Sequence, residues 1–130
     1  MLTLLLKTDQ SEAEIYLYQE NKCIAEKVWK ADRSLAETIS KQIESVIKKE
    51  GLSLDKLDAI GVFRGPGSFT GLRIGHSVAN ALAYGLGLPI VGVQGKDWQK
   101  QAILLLEEGK DEEVVMPEYG APPRTTAPRK

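Results

Sequence analysis

The sequence predicts a single α/β domain built on a mixed β-sheet, and three observations carry that expectation. Three short segments rich in Leu, Ile, Tyr, Val and Trp come first, at 2–8, 13–19 and 23–29, parted only by the polar turns Asp9-Gln10-Ser11-Glu12 and Glu20-Asn21-Lys22. Runs of that composition and spacing form an antiparallel meander. A helix with one apolar face follows, and after it a strand, a Gly/Pro loop, a second helix and a second strand form a crossover unit whose strands lie parallel. At 130 residues, with 42% hydrophobic and 27% charged residues, the chain has the size and composition to bury one core.

The first helix opens at Ser34-Leu35-Ala36-Glu37, which reads as a capping box in which the serine hydroxyl and the glutamate satisfy the first amides. Leu35, Ile39, Ile43, Val46 and Ile47 share one face over 34–49. Lys48 and Lys49 suit the negative end of the dipole, and Gly51 is placed to end the helix. Asp58-Ala59-Ile60-Gly61-Val62-Phe63 reads as a buried strand, and Arg64-Gly65-Pro66-Gly67 as a loop. A helix then runs from Ser68 or Thr70 to Tyr84, closed by Gly85 and Gly87. Pro89 to Val93 returns as a strand, and a last helix covers Asp97 to Glu108. Three antiparallel strands followed by helix, strand, helix, strand, helix is the order of a ribonuclease-H-like domain, the half-unit of the actin-like ATPase fold, with strand order taken by analogy. The domain is expected over 1–109, with an acidic and then Pro-rich extended tail over 110–130.

Composition narrows the function. A formal net charge of −1 gives no broad basic surface for nucleic acid, although Arg124, Arg129 and Lys130 lie among prolines in the tail and either touch RNA or keep the tail soluble. No apolar run is long enough to span a bilayer, and the segment Met1 to Leu6 has neither a basic leader nor a cleavage site, so a cytoplasmic protein is expected. The single cysteine, Cys23, reads as a packed or half-packed thiol. Pairs such as Glu26 with Asp32, or Glu37 with Glu44, read as solvated faces.

The chemistry-bearing stretch is Gly65-Pro66-Gly67-Ser68-Phe69-Thr70-Gly71, between a strand and a helix, where free amides and the helix dipole can hold an anion. It is not a Walker loop, for no Gly-Lys-Ser/Thr follows, and its third glycine comes one residue late for the dinucleotide pattern. Gly65, Gly67, Ser68, Thr70 and Arg73 are therefore candidate anion contacts, beside the plainer reading of a turn that needs its glycines and a cap from Ser68 or Thr70. In the helix, Gly71, Gly75, Ala79 and Ala83 recur every four residues and leave a strip without bulk, flanked by Leu72, Ile74, Val78 and Leu82. Such a strip admits a close helix, either internal or from another chain. A hydrolase would need an activated nucleophile, and His76, the only imidazole, stands one to two turns from Ser68 and Thr70. His76 reads as a surface or interface residue.

The unbroken run Gly65-Pro66-Gly67-Ser68-Phe69-Thr70-Gly71-Leu72-Arg73-Ile74-Gly75 is similar to the signature of the TsaB (YeaZ) family. Its flanks, Leu52 to Ile60 and Ala81 to Val93, resemble the family too, and Pro117-Glu118-Tyr119-Gly120 with Pro122 and Pro123 resembles its C-terminal ending. The resemblance implies a ribonuclease-H-like fold and a role in forming threonylcarbamoyladenosine in tRNA beside the anticodon. It implies a non-catalytic scaffold, a pseudo-enzyme with no cofactor of its own, that pairs with the catalytic paralogue TsaD while the ATPase TsaE joins, with ATP or ADP at the interface of the assembled complex and tRNA met only through it. The family's dimer surface maps to 34–49 and 70–84. This makes Leu35, Ile39, Ile43, Gly71, Gly75, Val78, Ala79, Leu82 and Ala83 the expected interface, with the bare strip facing outward and a homodimer when TsaD is absent.

Departures from the family pattern matter equally. Lys7-Thr8-Asp9 stands where the first strand usually ends in Asp-Thr-Ser, which removes an acid used near the metal-phosphate site. Gln94-Gly95-Lys96-Asp97-Trp98 stands where the paralogue has a His-x-x-x-His metal pair. The sequence passes from its third helix almost directly to the tail where the family commonly has a second domain, so a short single-domain form is expected. The alternatives are a nucleotide-binding module using the Gly-rich loop and a homodimeric truncated paralogue with an altered role.

Overall fold

A computed structural model describes residues 1–120; Pro122, Pro123, Arg124, Arg129 and Lys130 lie outside the described residues. In chain order the elements are β1 (Leu2–Lys7), β2 (Glu12–Gln19), β3 (Lys22–Lys30), α1 (Leu35–Lys49), β4 (Ala59–Phe63), α2 (Phe69–Leu86), β5 (Ile90–Val93) and α3 (Trp98–Glu107). The sheet has five strands in the order β3-β2-β1-β4-β5, antiparallel from β1 outward to β3 and parallel from β1 through β4 to β5.

β1 is apolar at every position from Leu2 to Leu6 except Thr3 because it is buried on both faces. Leu4 and Leu6 join Ile15, Leu17, Ile60, Val62 and Ile90 beneath α1 and α2. Leu5 faces the other way, with Ala59, Phe63, Val91 and Val93, toward Trp98, Ala102 and Leu106 of α3. The sheet is thus the middle of three layers. Leu35, Ile39, Ile43, Val46 and Ile47 of α1 are all buried as their spacing requires, each contributing about 1.5–3 kcal/mol by its removal from water.

The ends of the helices differ from expectation. The capping box at α1 does not form: a single 3₁₀ turn, Asp32–Ser34, precedes the helix, and Ser34 Oγ donates to Ala31 O at 2.6 Å instead of accepting from an amide of α1. A turn entering the helix has already claimed the hydroxyl. α2 runs past Tyr84 to Leu86 and ends at Gly87, whose φ of 68° is the left-handed conformation that lets its N–H reach Ala83 O and Tyr84 O. Cys23 is exposed, not packed, because it sits on edge strand β3 next to the β2–β3 turn.

Past α3 no helix or strand is assigned among the described residues, yet residues 111–119 lie against the domain. Glu112 N–H donates to Ile90 O (2.8 Å) and Glu118 N–H to Arg64 O (2.7 Å). Val115 is fully buried, and Asn80 holds it at both main-chain groups, at 2.9 Å each.

Candidate functional site

The Gly-rich loop sits at the C-terminal end of β4, beside the end of β1. Each of its glycines answers a neighbour. Gly65 has a φ of 121°, and a Cβ there would overlap Glu118 O and crowd Leu72. A Cβ on Gly67 would overlap Asp9. Ser68 N–H donates to Asp9 O (2.9 Å), Ser68 Oγ accepts from Gly71 N–H (3.2 Å) as the cap of α2, and Thr8 Oγ1 donates to Gly71 O (2.8 Å). The loop is therefore bolted to the strand end, and its glycines are accounted for by packing.

At that strand end the Lys7 ammonium pairs with the Asp9 carboxylate at 2.7 Å and lies 4.5 Å from the centre of the Phe63 ring. An internal ion pair occupies the place where the family pattern has an acid. Ser68, Thr70 and Gly71 line a cleft of about 670 Å³ shared with Gln10, Ser11, Asp32, Arg33 and Leu35. Arg33 joins the candidate anion contacts only through the fold, since it lies far from the loop in sequence. Arg73 is exposed one turn along α2, in a second groove, and does not line this cleft.

The small-residue strip faces inward, contrary to the expectation that it faces outward. Side chains at Gly71 and Gly75 would overlap the Thr8 carbonyl and hydroxyl, and Ala79 and Ala83 are buried in the main core. The strip brings the backbone of α2 close to the end of β1; sterics serve a strand as well as a helix. Leu35, Ile39 and Ile43 are likewise core residues. Of the nine residues expected at a dimer surface, Gly71, Val78 and Leu82 are half-buried and the other six buried; Val78 and Leu82 lie in line with Ile74 on the flank of α2, packed against the main core. Ala36, Thr70, Arg73, Ile74, Ser77 and Val78 form a groove of about 420 Å³ between the two helices.

His76 is buried, not a surface residue, with Nδ1 2.7 Å from Leu72 O and Nε2 without a partner. Burial is the main cause that pushes its pKa below the ordinary value. The Leu72 carbonyl opposes that shift, and the Arg64 guanidinium adds to it. Arg64 Nε is also buried without a partner, while its Nη1 lies 3.5 Å from Glu112. Arg64 and Asn80 are anchors that sequence reasoning missed. Their signal was Val115, an apolar residue in a polar tail. Among the described residues, no group of three His, Cys, Asp or Glu side chains is placed to hold a metal ion, and no helix is long and apolar enough to cross a membrane.

A five-stranded mixed sheet with two helices on one face and one on the other defines a ribonuclease-H-like domain. The solved structure of RuvC from T. thermophilus in complex with a Holliday junction substrate shares this fold at 11% identity, with a TM-score of 0.55 over 92% of this chain and 85% of that one. YeaZ from Pseudomonas aeruginosa aligns with a TM-score of 0.67 at 29% identity, over 72% of this chain and 43% of that one. The family model described as TsaD, tRNA N6-adenosine threonylcarbamoyltransferase, matches residues 29–115. The tRNA threonylcarbamoyladenosine biosynthesis protein TsaB of Haemophilus influenzae is 35% identical over 81 residues, 62% of this chain and 34% of that protein. The chain belongs to the family of tRNA threonylcarbamoyladenosine biosynthesis proteins that includes TsaB (YeaZ) and TsaD. It spans about a third of the length of the TsaB protein it matches.

Proposed function

We propose that this domain is a non-catalytic partner subunit that binds and activates TsaD in forming threonylcarbamoyladenosine in tRNA. The observation that carries the reading is the row Ile74, Val78 and Leu82. It lies half-buried at helical spacing along the flank of α2 that borders the main core, and Ile74 and Val78 line the groove shared with Ala36 of α1. A second helix pair laid across α1 and α2 would complete its burial. TsaE joins the pair, ATP or ADP binds at the assembled interface rather than to this chain alone, and tRNA is met only through the complex. Without TsaD, the same surface pairs two copies. Support for a silent subunit comes from the residues at the strand ends: Lys7 and Asp9 neutralise each other, Ser68 caps α2, and the only imidazole is buried with Nδ1 against Leu72 O.

The test is light scattering of the chain mixed with TsaD from the same organism. Ser77 is exposed on the rim of the groove, so Ser77→Trp blocks the surface without entering the core. A complex with one copy of each protein, lost in Ser77→Trp at unchanged thermal stability, is expected. Absence of a complex with the native chain would overturn the reading, as would threonylcarbamoyl transfer by the chain alone. Titration of ATP into the isolated chain separates the nucleotide-module alternative, which requires binding.

A further inference from the structure

The two edges of the sheet are finished differently. At β5, Ile90 N–H donates to Asp111 Oδ1 (3.1 Å), Gly92 N–H donates to Glu112 Oε2 (2.8 Å), and Ile90 O accepts from Glu112 N–H (2.8 Å), so the segment after α3 closes that edge. At the opposite edge β3 runs nine residues, Lys22–Lys30, with β2 on one side and no strand on the other among the described residues. An open row of main-chain donors and acceptors is a template for another strand.

The side chains restrict which strand fits. The register with β2 slips between Ala25 and Cys23, leaving Ile24 as a bulge, so the regular part of the edge is Ala25 to Lys30. Glu26, Val28 and Lys30 stand opposite Tyr16, Glu14 and Glu12, and Ala25, Lys27 and Trp29 stand opposite Leu17, Ile15 and Ala13 on the core side under α1. Two copies related by a twofold axis perpendicular to the sheet keep their helical layers on matching sides and oppose only residues of like face. An axis at Glu26 or at Lys27 sets like charges against each other. One at Ala25 runs into the bulge. An axis at Trp29 opposes Val28 to Lys30 and centres on an indole already turned in, with Nε1 donating to Thr38 Oγ1. An axis at Val28 opposes Glu26 to Lys30 twice, Lys27 to Trp29 twice, and Val28, 45% exposed, to itself. It alone pairs opposite charges.

We infer that β3 pairs antiparallel with β3 of a second copy of this chain, centred on Val28, joining the two five-stranded sheets into one. No residue of this edge lines the groove between α1 and α2, and the inference does not rest on the function proposed above. Lys27, which would block an arbitrary strand, stands opposite the partner's Trp29 and clear of its Lys27 in this register.

The register makes the test specific. In the full chain carrying Cys23→Ala, Val28→Cys faces its own copy across the axis and, with copper phenanthroline as oxidant, forms an intermolecular disulfide. Glu26→Cys in the same background stands four residues out of step, about 13 Å from its copy, and remains uncrosslinked. In the Ser77→Trp background, which closes the helical surface, sedimentation equilibrium is expected to show Glu26→Lys weakening association by about tenfold, because two opposite-charge pairs become like-charge pairs. Adding Lys30→Glu restores it. Absence of a crosslink in the Val28→Cys variant, equal crosslinking in the Glu26→Cys variant, or a charge swap without effect would each overturn the proposal, and rescue by the double swap shows that the single variant had folded.

Discussion

Thr8 stands where a side chain on Gly75 would go, and this contact decides how the small-residue strip is read. On helix propensity alone, Gly75→Ala in the interior of α2 would stabilise the protein by about 1 kcal/mol. Here the added methyl would meet Thr8 Oγ1, which already donates to Gly71 O. The expected outcome is the opposite sign: Gly75→Ala lowers stability by about 1–3 kcal/mol in urea denaturation, and Thr8→Ala combined with it recovers part of the loss in a double-mutant cycle. A strip facing solvent would show neither effect. His76 gives a second residue-level expectation. Its folded pKa lies below the ordinary 6.5 because burial disfavours the cation, so the unfolded chain binds the proton more readily. The contribution of neutral His76 is therefore present above about pH 6.5 and is lost as pH falls toward the folded value. As this is the only histidine, the melting temperature of the native chain is expected to fall between about pH 7.5 and 5.5. His76→Gln should flatten that part of the profile; an equally steep decline in the variant would assign it to other groups.

At the scale of elements, the segment after α3 is the least conspicuous in sequence and among the more consequential in structure. Asp111 and Glu112 close the β5 edge, Val115 fills the core beside α2, and the Tyr119 ring lies 4.1 Å from that of Phe69. Asn80→Ala removes both hydrogen bonds to Val115 and leaves a buried N–H and C=O unpaired, which costs about 1–3 kcal/mol for each group left unsatisfied. The expected result is faster amide exchange at Ile90, Gly92 and Val115, with β1 and β2 unchanged; uniform acceleration would mean that the segment does not open separately. The same region shows what the sequence could and could not convey. Period and composition placed every strand and helix, because Leu4 to Leu6, Ile39 to Ile47 and Ile60 to Val62 answer to burial along their own element. The inward direction of Gly71 and Gly75, the burial of His76 and the anchoring of Val115 depend on which residue lies across from them. That partner, Thr8 or Asn80, is distant in the chain and leaves no periodic trace. The cap at Ser34 failed for a local reason of the same kind, since one hydroxyl could either accept from the helix or donate to the turn before it.

Over the whole molecule, charge bounds how the chain can bind a polyanion such as tRNA. The 17 basic and 18 acidic residues nearly cancel, and the parallel-strand end of the sheet carries a neutralised Lys7–Asp9 pair rather than a basic surface. Affinity for a polyanion comes largely from released counterions, so a balanced surface predicts that the isolated chain leaves tRNA unshifted in a gel at physiological salt. Its three tail cations, Arg124, Arg129 and Lys130, have no acid among residues 121–130 to oppose them. They bound the exception. If they alone contact phosphate, the slope of log K against log salt is no steeper than about −2 to −3, given a contribution of about −0.7 to −0.9 per contact. That binding then disappears when the chain is cut after Gly120. Fluorescence anisotropy with labelled tRNA over a salt series measures both quantities. A steeper slope, or binding that survives the cut, would mean that the folded domain itself grips RNA, and would overturn the proposal that tRNA is met only through a complex.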